Sequence, residues 1–319
     1  MPATFEQPVL KNCTLQCFSF ISSDGKTAVA AYRFDPLGPV KAVLQISHGM
    51  CEYIMRYAAF ADSLAAEGIA VWGHDHLGHG ATAQTADDLG FIAESDGARL
   101  LVEDVHKMTQ EIRKEYPGTP LVLFGHSMGS FVARQYLAYY GEELNAAIIC
   151  GTAGPQSPAG AGKIMASVIR AFKGKRHRSN FLKNVSFAGY TKTYEKGCSP
   201  LAWLTRDEAI VEKYSKDPLC MYVFTVEAYY DLFDLLAGVS SKKWAAQVPA
   251  KLPVLVISGE DDPVGSWGKG PRTVYERLQK AGLSDVKLIL YPGARHEIHN
   301  ETNKEEVIRD ILNWIRDRI

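Results

Sequence analysis

The chain has 319 residues, 46% of them hydrophobic and 22% charged, with a formal net charge of −1. That is enough apolar material for one large domain with a sizeable core, and too little net charge to draw the molecule to nucleic acid through its overall field. No apolar run is long enough to span a bilayer, Met1 to Lys11 carry no signal-peptide pattern, and the six scattered cysteines are then expected to be free thiols of a cytoplasmic protein.

Residues 17–34 read as a hairpin, with Cys17–Ile21 and Ala28–Phe34 flanking the polar turn at Ser23, Asp24, Gly25 and Lys26. Lys41–Ser47 is a short apolar strand that ends at His48-Gly49. Arg56–Gly68 has helical spacing, with Tyr57, Phe60 and Leu64 on one side. Ile69–Trp72 is the next strand, and Asp96–Tyr116 a long amphipathic helix stopped by Pro117-Gly118. A strand at 121–124, a helix at 131–140 and a strand at 146–150 continue the alternation. This pattern implies a mostly parallel central sheet with helices on both faces, an α/β fold.

From Pro155 to about Val239 the alternation stops. Ile164, Met165, Val168, Ile169 and Phe172 recur at helical spacing, Lys173–Arg178 is basic, and further helices are expected near 206–214 and 221–236. The sheet pattern resumes at Leu252–Ser258, followed by a helix near 273–281, a strand at 286–291 and an amphipathic helix at 304–318. The expected organisation is a core made of residues 1–154 and 240–319, interrupted by a helical insertion at 155–239.

The sequence Gly125-His126-Ser127-Met128-Gly129 ends one strand and begins one helix. A G-x-S-x-G turn in this setting lifts a serine hydroxyl clear of the sheet, and the flanking glycines leave no Cβ to clash in the bend. A serine nucleophile needs a base, and the base needs an orienting acid. Beyond the first strand after the insertion stand Asp261 and Asp262, and beyond the last strand stand His296 and His299. Pro263 holds Asp262 extended, which favours it over Asp261. The distance from the strand end favours His296, with His299 read as a solvated or hydrogen-bonded loop residue. The oxyanion donors are expected to be the backbone N–H groups of Met128, next to the nucleophile, and of Met50, in the loop after the Lys41–Ser47 strand. His74, His76 and His79 cluster in a glycine-rich loop, where no helical array adds a carboxylate; they are read as loop hydrogen-bonding residues and no metal is expected. No phosphate-binding glycine motif appears, so no cofactor is expected.

These residues resemble a known group. His48-Gly49-Met50-x-Glu52, Arg56-Tyr57, Asp75-x-x-Gly78-His79-Gly80 and Gly125–Gly129 are similar to the monoacylglycerol lipase and lysophospholipase branch of the α/β-hydrolases. The family pattern Gly-x-x-Asp-x-Val also fits Asp262. The resemblance implies an α/β-hydrolase fold, a cap over an acyl pocket at 155–239, and a serine hydrolase that cleaves monoacyl esters of small molecules through an acyl-enzyme. It places Glu52 and Arg56 near the alcohol part of the substrate; the alternative is a surface ion pair. Two other activities stay open: an aminopeptidase or amidase using the same three residues, and a catalytically silent binding protein on this fold. The stripe from Ile164 to Phe172, with the basic run after it, is read either as a transient membrane-surface contact or as a cap helix packed on the site. Tyr53 stands where the family usually has histidine, and Ser130 where a glycine is common.

Overall fold

The computed structural model describes residues 8–155 and 159–319. The first seven residues of the amino-terminal stretch read above, and 156–158 within the insertion, lie outside the described residues. Eight strands form one sheet: β1 (Cys13–Ile21), β2 (Ala28–Pro36), β3 (Ala42–Ser47), β4 (Ile69–His74), β5 (Leu121–His126), β6 (Ala146–Cys150), β7 (Val254–Gly259) and β8 (Val286–Tyr291). Their order is β1-β2-β4-β3-β5-β6-β7-β8. The β1–β2 and β2–β4 pairs are antiparallel and all others parallel.

The central strands are buried on both faces, which is why they read as continuous apolar runs. In β5, Leu121 and Leu123 enter one core layer and Val122 and Phe124 the other; in β7, Val254 and Val256 face opposite to Leu255 and Ile257 in the same way. The first layer is completed by α2 (Gly97–Glu115), α3 (Met128–Tyr140) and α9 (Lys269–Lys280), the second by α1 (Ala58–Ala65) and α10 (Lys304–Arg316).

Between β6 and β7 lie α4 (Ala159–Lys173), α5 (Asn180–Ser186), α6 (Glu208–Lys216), α7 (Val226–Ser240) and the short α8 (Lys242–Ala245). Helix α7 starts five residues later than its apolar pattern suggests, because Thr225 caps it, its side chain accepting from Ala228 N–H. Helix α9 starts earlier than expected, since Pro271 is tolerated in a first turn. The expected helix at 56–68 is divided into a 3-10 turn at Ile54–Tyr57 and α1. All six cysteines are free.

Candidate active site

Ser127 stands between β5 and α3 with φ 53° and ψ −121°, a conformation costly for a residue with a Cβ. The bend persists because its surroundings leave no room to relax. A Cβ at Gly129 would collide with the Ser47 carbonyl, and one at Gly49 would lie 2.9 Å from Ser127 Cβ. The turn, the start of α3 and the loop after β3 are thus locked together around the serine. Ser127 stays half-buried, open to a small molecule.

The loops after β7 and β8 meet beside it. His296 Nδ1 lies 2.9 Å from Asp262 Oδ2, with both residues buried. Asp262 is held in turn by the Val264 N–H (2.8 Å) and the Ser258 hydroxyl (3.3 Å). Asp261 is exposed, and its N–H ties the two loops by donating to the Ala294 carbonyl (2.9 Å). The His296 ring lies 4.7 Å from the His126 ring and close over Gly151, next to Cys150, whose carbonyl accepts from Ser127 N–H (3.1 Å). Trp203 covers it at 5.2 Å between ring centres. His299 is not solvated: it is buried, stacked on Tyr57 at 4.5 Å, and burial pulls its pKa down to about 3.

Of the two expected oxyanion donors, Met128 opens α3, so its N–H has no acceptor within the helix. In the loop after β3, the Gly49 N–H is taken by Glu52 Oε1, which leaves Met50 as the next amide along.

Glu52 and Arg56 are brought together, 3.1 Å apart, but not at the surface. Glu52 is 3% exposed and binds His126 Nδ1 at 2.9 Å, with the Tyr57 hydroxyl 3.0 Å away. Arg56 makes a two-pronged pair with the buried Glu297 at 2.7 and 2.9 Å and lies over the Tyr214 ring. Burial opposes charge on Glu52, yet His126 and Arg56 hold its carboxyl well below the usual range. Burial likewise opposes His126, and Glu52 raises it above 6.5. The surface ion pair is therefore corrected to a buried network. The Glu52 carboxylate and the terminal nitrogens of Arg56 all have protein partners, through which they hold the two loops together. His126, Tyr57 and Glu297 escaped the sequence reading; a charged partner 241 positions away leaves no local signal.

The histidines of the β4 loop are buried, but the hydrogen bonding expected of them is only partly present: His76 Nε2 lies 3.1 Å from the Ser47 hydroxyl, whereas neither ring nitrogen of His74 has a hydrogen-bond partner, its place in the apolar layer offering none. His48 Nδ1 is 2.8 Å from the Gly49 carbonyl, its Nε2 accepts from His76 N–H (2.9 Å), and His79 Nδ1 is 3.0 Å from the Leu77 carbonyl. Burial, then His79, takes His48 down to about 3, so it stays neutral beneath the site.

A family model described as serine aminopeptidase, S33 (Hydrolase_4), matches residues 38–303. The chain is 27% identical to a monoglyceride lipase of Rattus norvegicus, covering 94% of this chain and 90% of the relative. It is 28% identical to a monoacylglycerol lipase of Mycolicibacterium smegmatis, covering 88% and 89%. Among solved structures, a highly thermostable carboxyl esterase from Bacillus coagulans in complex with glycerol superposes with a TM-score of 0.90 at 30% identity, covering 95% of this chain and 98% of the other.

Proposed function

We propose that this chain, which belongs to the serine aminopeptidase S33 (Hydrolase_4) family of α/β-hydrolases and is a serine carboxylic-ester hydrolase, works through Ser127, His296 and Asp262 on esters with a single acyl chain, monoacylglycerols among them. His296 takes the Ser127 proton as the hydroxyl attacks the ester carbonyl. Asp262 fixes the imidazole tautomer and stabilises the imidazolium. The N–H groups of Met50 and Met128 receive the developing oxyanion. His296 returns the proton to the leaving alcohol, and water, activated by the same imidazole, cleaves the acyl-enzyme. The observation that carries the reading is the buried 2.9 Å contact between His296 and Asp262 beside the strained turn at Ser127. A fluorophosphonate probe is expected to label Ser127 alone. A panel of p-nitrophenyl esters, monoacylglycerols, lysophospholipids and aminoacyl anilides is expected to be cleaved at the esters. Folded protein that leaves Ser127 unlabelled, or that turns over only anilides, contradicts the proposal.

Residues 155–239 then act as the cap over the acyl group. The outer face of α4 carries Ile164 (67% exposed), Val168 (52%) and Phe172 (83%); its other apolar residues, Met165 and Ile169, pack inward. The basic run is largely engaged within the molecule. Arg176 pairs with Asp88 and Glu94, Lys175 reaches the Glu94 carbonyl, and Arg178 bonds the Val223 and Asp87 carbonyls. No helix among the described residues is long and apolar enough to cross a membrane. The protein is read as cytoplasmic, with α4 as a peripheral contact driven by apolar burial more than by charge. Co-sedimentation with phosphatidylcholine vesicles is expected to match that with anionic vesicles within about twofold, and Phe172→Asp to remove both. Binding to anionic vesicles alone would contradict this.

A further inference from the structure

Arg134 on α3 is fully buried and has no carboxylate partner among the described residues. Its guanidinium instead holds the two chain segments that flank the cap. One nitrogen donates to the Ala153 carbonyl (2.9 Å) and to Thr152 Oγ1 (3.3 Å), just before the cap begins. A second donates to the Val239 carbonyl (2.5 Å), in the last turn of α7, where helix carbonyls lack partners and the helix dipole is negative. Trp244 closes the arrangement. Its ring lies 4.4 Å from the guanidinium carbon, and its indole N–H donates to the Arg134 carbonyl. One cation thus fastens both roots of an 85-residue insertion to the helix that follows Ser127, with carbonyl dipoles in place of a counter-charge.

The contact continues to the nucleophile. Thr152 Oγ1 lies 2.8 Å from Ser130 Oγ, which lies 2.5 Å from the Ser127 carbonyl. Each hydroxyl has one proton, so the chain has one direction. Arg134 donates to Thr152, Thr152 to Ser130, and Ser130 to the Ser127 carbonyl. Aligned bonds in a dry interior polarise one another. A glycine at 130 would remove the last two links of the chain, since the Ser130 hydroxyl makes both. A serine bonding the carbonyl three residues back is ordinary in a helix; a second link from that serine to the cap roots is not.

The geometry points to Ser130, Thr152 and Arg134 as a positioning relay that couples the seating of the cap to the strained backbone of Ser127. None of the three touches the reacting atoms. They act through the cap, whose walls a long acyl chain meets and a two-carbon one does not. This rests on Ser127 as the nucleophile and goes beyond it.

The test compares kcat/KM for p-nitrophenyl laurate and p-nitrophenyl acetate. Ser130→Ala, Thr152→Val and Arg134→Met are each expected to lower the laurate-to-acetate ratio about tenfold, within the range by which residues that touch no ligand modulate coupling. The double variant Ser130→Ala/Arg134→Met is expected to fall no further than the worse single one, because both cut the same chain. Amide hydrogen exchange over 159–173 and 226–240 is expected to quicken in Arg134→Met while β5 and β6 stay protected. Folded variants with an unchanged ratio, or effects that multiply in the double variant, overturn the relay. If Arg134→Met does not fold, Ser130→Ala and Thr152→Val decide the matter on the ratio alone. Failure of fluorophosphonate labelling would instead remove the nucleophile, so the two failures are distinguishable.

Discussion

Alanine at Ser127 or at His296 is expected to lower kcat for a p-nitrophenyl ester by on the order of 10⁶-fold, and alanine at Asp262 by on the order of 10⁴-fold. The difference reflects the role proposed for each residue. Without the hydroxyl there is no acyl-enzyme, and without the imidazole the hydroxyl keeps its proton. Without Asp262 the imidazole remains but loses the 2.9 Å partner that fixes which nitrogen faces the serine. The three act as a unit, so a Ser127→Ala/His296→Ala double variant is expected to be no slower than either single one. Asp261→Ala serves as the control. Asp261 is exposed, and the Tyr194 hydroxyl donates to its backbone carbonyl rather than to its carboxylate, so its activity is expected to stay within about twofold of the parent, in line with surface substitutions. Steady-state kinetics with a thermal-unfolding check on each variant would settle the matter. A folded Ser127→Ala protein keeping a tenth of the activity would take the serine out of the mechanism.

What was legible in the sequence follows from how local each signal is. Strands buried on both faces, such as β5 and β7, appear as unbroken apolar runs, and the elbow at Ser127 carries its whole geometry within five residues. Asp262 and His296, which the structure pairs, could be singled out as candidates because each follows a strand by a few residues. The short helices α5 and α8 were not, since seven and four residues give no periodicity to detect. The helical stripe on α4 was visible, but which of its residues face solvent was not, because that depends on where α7 packs. Glu52 and Arg56 could be picked out but not understood. Their partners His126 and Glu297 lie 74 and 241 positions away, brought close only by the finished sheet. Ser130 carries no such signal, because its hydroxyl meets Thr152, 22 positions away, and through it Arg134 only in the folded chain.

The buried network around Glu52 predicts a separation of stability from rate. Glu52 has two jobs: its charge balances His126 and Arg56, and its Oε1 accepts the Gly49 N–H that sets the loop leading to Met50. Glu52→Ala removes both. It is expected to cost about 3–5 kcal/mol of stability, because it leaves buried charge without its partner, and to slow kcat by about 10²–10³-fold, the loss that follows misplacement of one oxyanion donor. Glu52→Gln keeps an oxygen for Gly49 and loses the charge, so it is expected to lose stability while keeping most of kcat. The pH dependence carries a sign. Glu52 has its folded pKa held below 4.5, so its contribution is present above that value and is lost as pH falls through the lower folded one. His126 has its folded pKa raised above 6.5, so its contribution is full below 6.5 and is lost as pH rises through the raised folded value. Burial holds His48 and His299 down to about 3, so each costs stability as pH falls below 6.5; the signature of the Glu52–His126 pair is therefore the alkaline fall, and both Glu52 variants are expected to lose it, since the partner of His126 is gone. Chemical denaturation from pH 4 to 9 reads this directly. A Glu52→Gln protein as stable as the parent, with the same alkaline slope, would show that the carboxylate is not the charge holding His126 and the two loops in place.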